Sequence, residues 1–193
     1  MADRLDDRAL AQIFTEARTH RSWAKRDVPD ALLEELTKLM LWGPTAFNLL
    51  PARIVYVKSA EAKERLRPFL SPANVDKTMT APVCAIVAQD MRFYENVPKG
   101  MEPMPALGEK PEVVAAGALR NSSLQGGYFM LAARALGLDV GAMSGFNSAG
   151  VDAAFFEGTS IKSNFLCNIG YGDGQGLRPR GPRFTFGEIA RIV

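Results

Sequence analysis

Histidine is almost absent from this sequence of 193 residues: His20 stands alone. A Ser-His-Asp triad or a histidine-rich metal centre therefore has little material, and the HExxH, GxSxG and Walker A patterns are missing as well. Cysteine is nearly as scarce. Cys84 and Cys167 lie far apart in apolar runs, with no CxxC and no Cys/His ligand spacing. They read as buried thiols in a reducing cytoplasm. No apolar run approaches the roughly 18 residues that span a bilayer, and "MADRLDDRAL" is too charged for a secretory signal. Charge of one sign is lacking too. The net charge of +2 is too small to make nucleic acid or an anionic membrane the main partner.

What is present is a globular composition, 47% hydrophobic and 23% charged, in a chain long enough for one substantial core. Leu10, Ile13, Phe14 and Ala17 mark an amphipathic helix over about 6–18. A stronger one lies in "VPDALLEELTKLMLW", with Leu32, Leu33, Leu36, Leu39 and Met40 on one stripe and Gly43-Pro44 as its stop. "ARIVYVK" (52–58) is a β-branched strand. "SAEAKERLRPFL" is a short serine-capped helix. "APVCAIVAQ" (81–89) fits a strand buried on both faces. Residues 91–111 hold four prolines and three methionines and read as a loop or lid, an excursion within a single domain spanning 1–193. A long helix follows over 112–136, ending at Gly137. Its small residues at 116, 117, 122, 123, 126 and 127 admit a close neighbour, and a two-fold axis would supply one. A short strand (138–146), a short helix (148–156) and a strand (163–172) complete a layered α/β or α+β domain with about four strands.

Two stretches invite a chemical reading. "GYGDGQG" carries glycines after a strand, but "LRPRGPR" follows where a dinucleotide fingerprint needs a helix, so it is a loop. "GPTAFNLLP" (43–51) links a helix to a strand, yet a surface turn has no need of its leucines. Cationic and amide groups gather at element ends: Arg18, His20 and Arg21; Asn74 and Lys77 just before the buried strand; Arg178, Arg180 and Arg183 in the tail. Each alone reads as a solvated charge, but together they could close on a phosphate.

In order, these pieces resemble the nitroreductase family of FMN-dependent oxidoreductases. "LWGPTAFNLLPARIVYV" matches the family's W-x-P-[ST]-x-x-N-x-x-P segment, and "RTHRSW", "NVDK", "ALGLDVG", "GAMSGF" and "NIGYGD" follow the family order from Arg18 to the C-terminus. The resemblance implies an α+β, three-layer α-β-α sandwich around a central mixed sheet, in an intertwined homodimer with two FMN sites at the interface. Thr45 and Asn48 would then reach the flavin from the partner subunit, and Leu49 and Leu50 would be buried by that partner. Arg18, Thr19 and His20 match positions at the phosphate and ribityl end. Asn74 and Lys77 match positions at the pyrimidine ring, and Met143, Ser144 and Gly145 match those whose backbone amides approach flavin N5 and O4. Arg180, with Arg178 or Arg183, would complete the phosphate site.

The implied activity is ping-pong hydride transfer from NADH or NADPH through FMN to a small acceptor. Lys77 would stabilise charge on the flavin, with no obligate side-chain acid or base and no metal. "ERLRPFLS", "RNSSLQ", "MSGF" and "KSNFLCNIGYGD" are closest to the malonic semialdehyde reductase branch of the Rut pyrimidine-degradation pathway, which makes 3-hydroxypropionate. Arg92 or Lys99 could meet that substrate's carboxylate. The alternatives are a broad nitroaromatic or quinone reductase with the same site, and a flavin-binding protein without turnover.

Overall fold

The computed structural model describes residues 3–193. Four strands, β1 (Ala52–Val57), β2 (Val83–Asp90), β3 (Asp139–Met143) and β4 (Ile161–Gly170), form one sheet in the order β1-β2-β4-β3. All three pairings are antiparallel. The mixed character expected of the sheet is confined to a single-residue parallel bridge, Thr19 to Val140, on the β3 edge.

β2 alternates between two apolar layers, as its unbroken apolar run requires. Val83, Ala85 and Val87 face one layer, where α2 (Asp30–Met40) and α5 (Pro111–Ala135) bury Leu33, Leu36, Met40 and Phe129. Cys84, Ile86 and Ala88 face the other, against Leu66 of α3 (Ala60–Leu66) and Val151 of α6 (Ser148–Phe155). Helices thus cover both faces, giving three layers. Burial raises both cysteine thiols well above their usual pKa, Cys167 to about 12, so neither is an available thiolate.

Local chemistry sets the element ends. Ser59 Oγ accepts the Ala62 N–H at the start of α3. Gly137, at φ +76°, lets the Leu138 N–H return to Ala133 O at 2.9 Å and close α5. The first helix is shorter than its periodicity predicts: α1 (Asp7–Leu10) becomes a π-helical turn over Ala11–Thr15 and stops. Leu39 of the α2 stripe is 38% exposed. The small residues of α5 partly serve its own chain, since a Cβ at Gly126 would fall 2.7 Å from the Phe165 ring. Residues 72–79 form a further helix, α4 (Pro72–Met79), with Pro72 in its first turn. The tail ends in α7 (Phe186–Ile189), whose apolar side chains are exposed.

Candidate active site

Six arginines converge on one concavity of about 350 Å3: Arg18, Arg21, Arg134, Arg178, Arg180 and Arg183, with Thr19 beside them. They come from the segment after the first helix, the C-terminal end of α5 and the tail. Backbone carbonyls hold them in place. Arg18 donates to Arg178 O, Arg180 to Ala17 O at 3.3 Å, and Arg134 to Ile13 O at 3.0 Å. None of the six pairs with a carboxylate among the described residues. Like charges this close repel unless an anion lies between them, and guanidinium forks suit a phosphate.

His20 sits behind this pocket rather than in it. Its ring is buried, with Nε2 3.2 Å from Asp139 Oδ1 and Nδ1 without a partner among the described residues. Asp139 Oδ2 also accepts the Gly172 N–H at 2.8 Å. A Cβ at Gly172 would fall 1.8 Å from His20 Nδ1, so glycine alone permits this approach. The Thr19–Val140 bridge fixes the same segment to β3. Asp139 therefore joins the two stretches that carry most of the arginines.

A second group lies near the same β3 edge, in the layer of Cys84 and Ile86. Asn74 Nδ2 donates to Gly145 O at 2.6 Å, and Thr78 Oγ1 lies 3.6 Å from Met143 Sδ. These contacts bring α4 against residues 143–145. Trp23 Nε1 and Asn168 Nδ2 both donate to Lys77 O. Desolvation, then the charges of Arg21 and Arg178, lower the Lys77 pKa, which ties its ammonium electrostatically to the arginine pocket.

The 44–51 segment is built differently. Phe47, Asn48 and Leu50 all have left-handed backbones, at φ 53°, 55° and 41°. Such conformations cost about 1–3 kcal/mol each and persist where the surroundings over-determine them. Here Asn121 Oδ1 accepts the Ala46 N–H at 2.8 Å, Thr45 Oγ1 accepts the Leu50 N–H, and Gln125 Oε1 accepts the Ala52 N–H. Leu49 is 2% exposed, buried against Phe93, Val114 and Ala118 of its own chain. This corrects the expectation that a partner buries it. Phe47 is the uncovered side chain, at 75% exposure.

A larger cavity, about 520 Å3, lies between α2 and β1. Tyr56 there is bonded to Thr37 and Lys58 to Asp27 and Asp30, while Glu34 and Lys38 bring opposite charges one helical turn apart. It therefore carries no comparable demand for a ligand.

The Nitroreductase family profile matches residues 15–171. The chain belongs to the nitroreductase family. A Burkholderia lata relative with the provisional name NADH dehydrogenase/NAD(P)H nitroreductase is 56% identical over 191 residues, covering 97% of this chain and 98% of its own. A Ralstonia pickettii relative of the same provisional name, HadB, is 53% identical over 191 residues, covering 96% and 97%. An Exiguobacterium sibiricum nitroreductase, solved in complex with FMN, has a TM-score of 0.81 at 21% identity and full coverage of both chains.

The expected site residues fall into two sets. Arg18, Thr19, Arg180, Asn74, Lys77, Met143, Ser144 and Gly145 share the side of the sheet near β3. Thr45 and Asn48 precede β1, the opposite edge strand, at the far end from Thr19 and Val140, whereas the register sets Met143 level with Val55 of β1. Three strand spacings separate those edges, roughly 14 Å. Arg92, a candidate for the substrate carboxylate, is ion-paired with Glu95. Arg134 was not a candidate from sequence. It is more than 110 residues from Arg18, and nothing local distinguishes it from a surface arginine closing a helix.

Proposed function

We propose that this protein is an FMN-dependent NAD(P)H oxidoreductase. The observation that carries the reading is the acid-free pocket of six arginines, coupled electrostatically to Lys77. Those residues fit FMN: the arginines would hold its phosphate, and Lys77 and Asn74 would face the polar edge of its ring. When bound, FMN supplies two-electron transfer from NADH or NADPH to the acceptor. The protein supplies position and field. The Lys77 ammonium would oppose negative charge on the ring, and the Asn74–Gly145 bond sets the spacing between α4 and residues 143–145.

We further propose that the working unit is a homodimer in which Thr45 and Asn48 of one protomer complete the site of the other. Their separation from the arginine pocket supports this, as do the exposed side chains of Trp42, Leu124, Phe184 and Ile192.

Reduction of malonic semialdehyde to 3-hydroxypropionate rests on the sequence resemblance. Nitroaromatic or quinone reduction is the second reading, favoured by the Arg92–Glu95 pair, which removes one cation suited to a semialdehyde carboxylate. Relative kcat/KM for malonic semialdehyde and a nitroaromatic separates the two. Before that, purified protein should be yellow and should bleach anaerobically with NADH or NADPH. A yellow protein that never bleaches would be a flavin carrier without turnover.

A further inference from the structure

Phe47 is little covered by its own chain. It is a large apolar ring left 75% exposed, on a left-handed backbone that non-glycine residues avoid. The strain is held from several sides. Pro44 and Pro51 bracket the turn, Leu49 anchors it in an apolar cluster, and the buried Asn121 side chain fixes its start. Asn121 is itself positioned by its Nδ2–H bond to Gly117 O at 2.8 Å. A segment that needed only to link α2 to β1 would require no such scaffold. What the scaffold does is keep the Phe47 ring pointing out of the molecule between Thr45 and Asn48, with Met101 against Asn48 at 3.5 Å.

We propose that Phe47 is a specificity-determining residue that stacks on planar aromatic ligands in the flavin site of the second protomer. The inference rests on the dimeric flavin site proposed above. An aromatic face discriminates by shape and quadrupole: a flat π-system stacks on it, and a saturated ring of similar size and charge does not. A rigidly held ring loses less freedom on binding than a mobile one, so the strained turn contributes to affinity through pre-organisation.

The test uses the FMN-loaded protein and ligands that are not turned over. Benzoate and cyclohexanecarboxylate carry the same charge on a flat and a puckered ring. Each is titrated into oxidised wild type, Phe47→Leu and Phe47→Trp, with binding read from the flavin absorbance spectrum and oligomeric state from light scattering. The expected result is an aromatic preference in wild type that falls about three- to tenfold in Phe47→Leu and is retained in Phe47→Trp. Equal loss for both ligands, no loss, or dissociation of the dimer in Phe47→Leu would overturn the proposal. Wild type that takes up no FMN would instead sink the underlying flavin reading, an outcome seen before any variant is made.

Discussion

His20 and Asp139 form a partly buried contact, 3.2 Å from Nε2 to Oδ1, at the junction of the two segments that carry five of the six pocket arginines. The same carboxylate accepts the Gly172 N–H. Asp139→Asn keeps the volume but weakens both contacts. We expect a loss of about 1–2 kcal/mol in urea unfolding, together with weaker FMN uptake by apoprotein. An Asp139→Asn protein with unchanged FMN affinity would mean that the junction does not position the arginines.

Arg18 and Lys77 should separate binding from rate. Arg18→Ala should weaken FMN retention by roughly 1.5–3 kcal/mol, the value of a charge-assisted hydrogen bond. Lys77→Ala should retain FMN yet slow its anaerobic reduction by NAD(P)H in stopped flow. Unaltered retention in the first variant, or unaltered reduction in the second, would refute the assigned role.

Asn121 acts on the strained turn from below. Asn121→Ala leaves the Ala46 N–H without its partner and should cost about 1–3 kcal/mol in stability. Asn121→Asp retains the accepting oxygen but loses the Nδ2–H bond to Gly117 O and buries a carboxylate, so it should recover little of that loss. Chemical denaturation of the three proteins side by side checks the ordering.

Asp90 predicts an acid dependence. It is buried, and desolvation raises its pKa. Hydrogen bonds from Ser160, Asn96 and the Arg92 N–H, with the charge of Arg53, outweigh that and leave it below the usual value. A carboxylate whose folded pKa is depressed stabilises the fold above its unfolded pKa of about 3.9 and loses that contribution as pH falls through the folded value. Asp90→Asn should therefore be less stable than wild type at neutral pH, with the gap narrowing as pH is lowered below about 4. Urea midpoints across pH 7 to 3 give the comparison. A constant gap would exclude ionisation of Asp90 as its source.

Much of the architecture was legible before any coordinates. The unbroken apolar run of β2, the α2 stripe and the Gly137 stop each express a local rule of period, propensity or backbone freedom. α4 was missed because Pro72 reads equally well as the end of one helix or the first turn of the next, and eight residues carry too little periodicity to decide.

For the candidate site, sequence could put members forward but not their arrangement. Sequence put Arg18, Lys77, Thr45, Asn48 and the tail arginines forward as candidates. It did not bring in Arg134, whose neighbours in the pocket are remote along the chain. It placed His20 among the ligand contacts, whereas the ring turns toward Asp139. It also had a partner bury Leu49, which its own chain already buries.

By itself the sequence determined which residues could carry anion-binding chemistry, and that no nucleophile–base pair or histidine metal site was on offer, because those are matters of residue type and short spacing. Tertiary structure alone decided which charges face one another, that Phe47 rather than Leu49 is left uncovered, and that Thr45 and Asn48 lie across the sheet from the arginines. Those outcomes depend on contacts between residues up to 163 positions apart, and no local pattern encodes a contact at that separation.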